Sequence, residues 1–382
     1  RQKSQTKGGR NVKNFAFDGE MSREVLNNYL SRAVTHIGLG YDNDLYSDTF
    51  EDDLRMLKNE GAKFIGRAAY VWANSVPDKE NFAFTKKRLA RGHEVDPEFI
   101  FQACVFECIY RPFVDSTEIP EFVFREFGLT PEKRCFSYDS MRHTDEEECR
   151  WGWRETSTPD ITKTEAQMWF FYRAASYIDC GCEAVHLGQV GLIGRKDEGF
   201  ACFKKVIGMI REYAKKHARR HFVLIDAHTL GWLREDDTMF DYNAFPIRLK
   251  EVVDEPMHCV CEEGYLDSMF NERDGNARPF IVEFDNFGMS SHPGQADVKS
   301  HFAWGYDEIT WFSKLDKDYR AYFLNYIWDW VNARYPEGWV QMPSRRCLAG
   351  GERYNYSANT PSEAIPYGWG DEETIKAIFA RG

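Results

Sequence analysis

Residues 184–214 read AVHLGQVGLIGRKDEGFACFKKVIGMIREYA, and the fold is decided by how this stretch divides. Ala184–Leu192 is a short apolar run of strand length. Further on, Phe203, Val206, Ile207, Ile210 and Ala214 recur at the i, i+3, i+4, i+7 spacing of a helix with one buried face. A strand followed by a helix that must bury an apolar stripe is one βα unit.

The same alternation extends outward in both directions. Upstream, the predicted strands are Val34–Leu39, Lys63–Trp72 and Phe99–Tyr110. The capping-box pattern Thr49-Phe-Glu-Asp52 opens a helix that carries Leu54 and Leu57 and ends at Gly61. Phe82–His93 reads as another helix. Residues 111–160 are irregular, with a short helix near Ile119–Phe127, and a second capping box, Thr162-Lys-Thr-Glu165, starts the helix before strand four. Downstream, strand five is Phe222–His228, strand six His258–Tyr265, strand seven Phe280–Asp285 and strand eight Trp339–Pro343, with Tyr319–Val331 helical between the last two. The reading is an α/β chain: one (β/α)8 TIM barrel with long loops at its C-terminal face, over residues 13–382, behind a disordered basic leader at 1–12. An open doubly wound sheet is the alternative, but no GxGxxG turn follows the first strand, so its dinucleotide marker is missing.

Composition narrows the function. The 382 residues carry a net charge of −12, which argues against general nucleic-acid binding. No run approaches the roughly 20 apolar residues that cross a bilayer, so no transmembrane segment is expected. Aromatics make up 15% of the chain: 29 Phe, 19 Tyr and 11 Trp. Beyond the core, such rings suit stacking on the apolar faces of sugars. A carbohydrate is therefore the expected partner, with no cofactor, and a secreted, periplasmic or cell-surface location. The ten cysteines show no CxxC spacing, and buried thiols are preferred over zinc ligands.

In a barrel, chemistry gathers at the C-terminal ends of strands and the loops after them. That rule selects Glu107 after strand three, Asp226 and His228 on strand five, Glu262 and Glu263 on strand six, and Glu283 and Asp285 on strand seven. Alternation puts Asp226 with His228 on one face, and Glu283 with Asp285. Acids at four strand ends are costly to bury unpaired, which points to function. His292, Trp304, Tyr306 and Trp311 in the loop after strand seven are read as a pocket wall. Arg345 and Arg346 past strand eight are read either as holding a substrate carboxylate or as pairing with the acidic cluster, and Arg67 on strand two has the same two readings.

At FIVEFDNFG, 280–288, the chain resembles the retaining (β/α)8 glycoside hydrolases, whose nucleophilic Glu ends strand seven. That resemblance implies that Glu283 is the nucleophile. Those enzymes usually end strand four with Asn-Glu, the Glu being the acid/base; here Gly188-Gln189 stands instead. Gln189 can bind a sugar hydroxyl but cannot deliver a proton. Either Glu263, Asp226 or Glu107 supplies the acid, or the hydrolase reading fails. A carboxyl separation of about 5–5.5 Å would indicate retention and roughly 6.5–9.5 Å inversion. Three functions compete: a glycosidase with paired carboxylates, a carbohydrate-binding barrel without catalysis, and, last, a metal-dependent hydrolase. The third lacks a His-x-His on strand one, where His36 stands alone.

Overall fold

The computed structural model describes residues 13–41, 48–70, 72, 77–152, 154–229, 239–262, 279–352 and 354–382. Eight parallel strands form a closed ring: β1 (Ala33–His36), β2 (Phe64–Tyr70), β3 (Ile100–Cys104), β4 (Ala184–Gln189), β5 (Leu224–His228), β6 (Asn243–Pro246), β7 (Phe280–Glu283) and β8 (Gly338–Arg346). Pairing of Val34 with Met342 and Thr35 with Pro343 shuts β8 against β1. The (β/α)8 barrel is thus established by register.

Alternation along each strand sorts the side chains. Val34, Ile65, Phe101, Val185, Ile225, Phe245, Val282 and Val340 all join the two large apolar clusters that also hold the helix side chains. A third cluster holds Phe64, Ile100, Ala184, Leu224, Ala244 and Ile281, and α1 (Arg23–Leu30) plugs this end with Leu26, Tyr29 and Leu30. Two residues further along those strands, the apolar layer gives way to Gln102, His186, Asp226 and Glu283, all buried and polar. The core thus lies around and below the ring. Polar groups fill it upward.

The outer helices are α2 (Phe50–Glu60), α3 (Asp78–Val95), α4 (Thr164–Asp179), α5 (Ala201–His217), α6 (Lys317–Arg334) and α7 (Glu372–Arg381). Helix α5 buries Phe203, Val206, Ile207, Ile210 and Ala214, the stripe read from spacing. Neither expected capping box forms. Thr49 Oγ1 donates to Asp53 Oδ2 at 2.8 Å instead of capping α2, and Thr162 Oγ1 turns back to Asp160 Oδ1 at 2.6 Å. Gly61 does end α2, in the left-handed region at φ 76°.

The sixth strand differs from expectation. It is Asn243–Pro246, paired to β7 through Phe280–Asn243 and Val282–Phe245. Within the expected strand His258–Tyr265, Cys259–Val260 instead forms an antiparallel pair with Lys250–Glu251 outside the ring. Two other strands stop early. The third ends at Cys104, with Ile109–Tyr110 pairing separately to Thr156–Ser157, and the fourth ends at Gln189, where Val190–Ile193 turns helical. Residues 1–12, read as a leader, lie outside the described residues. No described helix is long and apolar enough to cross a membrane.

Candidate active site at the barrel mouth

Two irregularities build the mouth. Strand β2 slips register between Ile65 and Ala69, and Arg67 there adopts φ 56°, in the left-handed region. Its N–H donates to Gln102 Oε1 at 2.9 Å, which keeps the bulged backbone satisfied. Strand β4 slips between His186 and Gln189 around Gly188, whose φ is 68°. Bulges of this kind re-aim side chains at a barrel rim. Here they direct Arg67 and Gln189 to one cavity.

That cavity measures about 500 Å3. Tyr70, Trp72, Phe106 and Trp151 form an aromatic wall, with Trp72 edge-on to Phe106 at 5.0 Å and to Trp151 at 5.5 Å. Polar lining comes from Arg67, Glu107, His186, Gln189, His228, Asp285 and Arg346.

Glu283 lies beneath this lining. Its side chain is only 2% exposed, and both oxygens are taken. Oε2 accepts from Arg67 Nε at 2.9 Å, and Oε1 from Arg67 Nη2 and from His228 Nε2, the latter at 2.9 Å. Arg346 Nη2 stands 3.5 Å from Oε2. Burial alone would raise this carboxyl, but the guanidiniums of Arg67 and Arg346 and the His228 hydrogen bond hold it well below the usual carboxylate range. Glu283 is therefore ionised and fully engaged.

Asp285, two residues on, is different. Its Oδ1 accepts from Arg346 Nη2 at 2.6 Å and from the Asn286 N–H at 2.9 Å. No hydrogen bond among the described residues reaches Oδ2. Burial and Glu283 push this carboxyl up, yet Arg346 and Arg67 leave it below its ordinary value. Across the cavity, Glu107 accepts from Gln189 twice: Oε2 from its N–H at 3.0 Å and Oε1 from its Nε2 at 2.8 Å.

Asp226 is fully buried and takes no part in lining the cavity. It accepts from Gln102 Nε2 and His186 Nδ1, both at 2.8 Å. Burial drives the His186 imidazole below its ordinary pKa despite Asp226. Asp226 and His228 share a strand face but do not bond to each other: Asp226 is taken by His186, and His228 turns to Glu283.

Of the sequence-predicted site residues, Glu107, Gln189, His228, Asp285 and Arg346 meet at one cavity, with Asp226 and Glu283 directly behind it. Glu263 lies outside the described residues, and Glu262 is exposed. The aromatic loop after β7 is not the pocket wall. Trp304 and Trp311 sit in the core, where their indole N–H groups bind the carbonyls of His258 at 2.9 Å and Met257 at 2.8 Å. His292 is exposed and away from the cavity, to which this loop contributes Asn286 and Phe287. Arg345, neighbour to Arg346, points the other way and clamps Asp53 of α2. The aromatic wall and His186 were missed. Trp72 and Phe106 sit two residues past the ends of β2 and β3, so the rule that selected the acids would also have found these two rings; Trp151 comes from the irregular segment 111–160, which that rule does not reach. Among the described residues, no group of three or more His, Cys, Asp and Glu side chains is arranged to hold a metal ion.

Against known structures, the chain is similar to glycoside hydrolases. The native debranching enzyme of Nostoc punctiforme matches with a TM-score of 0.46 at 11% identity, over 93% of this chain and 80% of that one. Another structure of that enzyme aligns over only 57% of this chain and 52% of its own length. A GH27 β-L-arabinopyranosidase from Geobacillus stearothermophilus gives a TM-score of 0.43 at 12% identity over 92% and 78%. The GH53 catalytic domain of Ignisphaera aggregans gives 0.43 at 11% over 92% and 96%. At such identities the likeness concerns architecture, and the barrel stands on its own strand pairing. No protein-family model and no curated protein matches the sequence.

Proposed function

We propose that the chain is a glycoside hydrolase that works through paired carboxylates at the barrel mouth, acting on a carbohydrate outside the cytoplasm. The supporting observation is that Glu107, past the end of β3, and Asp285, past the end of β7, line one aromatic-walled cavity, with Asp285 Oδ2 free of hydrogen bonds among the described residues. In this reading the aromatic rings hold the sugar's apolar face. Glu107 gives a proton to the leaving oxygen as the glycosidic bond breaks, the Asp285 anion faces the positive charge that develops on the ring, and a water then adds to the anomeric carbon and returns a proton to Glu107. Glu283 keeps Arg67 and His228 in place from below. This moves the anionic role from Glu283, where the resemblance put it, to the carboxylate with a free oxygen.

Three variants assayed on a panel of aryl glycosides and polysaccharides test the assignment. Glu107→Gln and Asp285→Asn are each expected to fold normally and to lose about 10²–10⁴-fold in rate, the usual range for a positioned acid or base. Glu283→Gln is expected to lower stability together with activity. If Glu283→Gln folds with unchanged stability, binds sugar and turns nothing over while Asp285→Asn stays active, the nucleophile is Glu283.

A second reading, a carbohydrate-binding barrel without catalysis, is favoured by Gln189. It stands where a strand-four acid would, with two of its N–H groups committed to Glu107. Binding of a sugar by the wild type with no turnover across the panel would select it.

A further inference from the structure

His228 of β5 is nine-tenths buried and lines the cavity, and its two ring nitrogens are in different situations. Nε2 stands 2.9 Å from Glu283 Oε1. An ionised carboxylate only accepts, so Nε2 must carry the hydrogen. The neighbouring Arg67 Nη2, 3.4 Å from Nε2, is itself committed to the same oxygen of Glu283. In the neutral imidazole the lone pair is then on Nδ1. No hydrogen bond among the described residues reaches Nδ1, and it is not one of the enclosed polar atoms that lack a partner. An unbonded nitrogen that is not enclosed, on a side chain this buried, opens to the cavity its ring lines.

Arg67 repeats the pattern. Its Nε and Nη2 are spent on Glu283, while Nη1 is neither bonded among the described residues nor enclosed. Glu283 thus fixes one acceptor and one donor side by side above it, from strands β5 and β2.

We propose that His228 is a specificity-determining ligand contact: Nδ1 accepts the hydrogen of a ligand hydroxyl, and Arg67 Nη1 supplies the donor for a hydroxyl oxygen. Glu283 is the positioning residue for both. The proposal rests on the reading of the mouth as a sugar site. It adds that the mouth selects a hydroxyl-bearing group at this point, where a deoxy analogue leaves a buried acceptor and donor unpaired. Sites built this way discriminate strongly, because the unpaired groups carry the penalty.

The test is nitrogen NMR of the full chain labelled with 15N-histidine, His228 being assigned by its loss in His228→Asn. The probe is glycerol, the smallest polyol. The expected spectrum of the neutral imidazole shows the hydrogen of His228 on Nε2 and a bare Nδ1. Glycerol is expected to move the Nδ1 resonance upfield with Nε2 nearly still, and exposed His292 gives the bulk-solvent control. A hydrogen on Nδ1, or an Nδ1 signal that moves no more than that of His292, would overturn the proposal. Neither readout needs turnover, so a failure of the hydrolase reading leaves this result standing and separately visible. If the hydrolase reading holds, His228→Asn, which keeps an acceptor near the Nδ1 position, retains more kcat/KM than His228→Leu. Equal losses in the two would also count against it.

Discussion

Arg67 concentrates the strain of the site in one residue. It combines φ 56° with a side chain packed into the polar layer, and its guanidinium is held well above its ordinary pKa, the pull of Glu283 outweighing burial. A non-glycine residue in this region costs of order 1–3 kcal/mol and persists only where its surroundings insist on it. The surroundings here are Glu283 and Gln102. Replacing Arg67 with Met keeps the length but leaves Glu283 buried without its main partner, so a loss of about 3–5 kcal/mol is expected in denaturant unfolding. Arg67→Gly should relieve the backbone strain and still be destabilising, because the charge dominates. A second residue reports on pH. Glu308, which accepts from the Asp285 N–H at 3.1 Å and from Arg248, is pushed up to about 8 by burial. Ionising a carboxyl raised in this way opposes folding. Its stabilising share is whole below the ordinary carboxylate value and is lost as pH climbs through about 8. Wild type should therefore lose stability relative to Glu308→Gln between pH 5 and pH 9, measured as melting temperature across that range. A constant difference between the two would refute the assignment.

The elements show where local pattern was enough and where it was not. Helix α5 and strands β1, β2, β5 and β7 were legible because each carries its own period and faces one apolar layer. Strand β6 was not. Asn243-Ala-Phe-Pro246 is four residues long and holds a proline, and only pairing to its neighbours β5 and β7 makes it a strand, whereas His258–Tyr265 has the more strand-like composition. The same limit governs the site. Strand ends identified Glu107, Asp226, His228, Glu283 and Asp285, but which acid is covered depends on the bulges in β2 and β4, and these arise from contacts distant in sequence. The β4 bulge is testable. A Cβ on Gly188 would fall 2.3 Å from Glu107 Oε2 and 3.0 Å from the Glu107 N, at φ 68°. Gly199, at φ 63°, has nothing within 4 Å of the same construction. Both Ala variants suffer the left-handed backbone, about 1–2 kcal/mol. Only Gly188→Ala also displaces Glu107 from Gln189. It should therefore cost more in stability than Gly199→Ala and should remove sugar turnover or binding, which Gly199→Ala keeps. Matching phenotypes would mean that the bulge does not position Glu107.

For the whole molecule the decisive event is closure, since acids from β3, β5 and β7 converge only if β8 returns to β1. Helix α7 is the outer counterpart of that joint. It follows β8 in the chain, yet its Glu372 accepts from Arg55 of α2 at 2.7 Å, and Phe379 meets Trp328 of α6 with ring centroids 5.9 Å apart. Its buried face, Ile375, Ile378 and Phe379, thereby joins the first βα unit to the last. A helix that merely rested on a finished barrel would peel off before the rest unfolded. One that completes the ring cannot leave without exposing both neighbours. Phe379→Ala is accordingly expected to cost about 3–5 kcal/mol, the range for deleting a buried aromatic ring. Far-ultraviolet circular dichroism and tryptophan fluorescence should still fall together in one shifted transition. If the mutant instead shows an early helical loss with the fluorescence of the core tryptophans unchanged, α7 is an appendage and closure rests on the β1–β8 pairing alone.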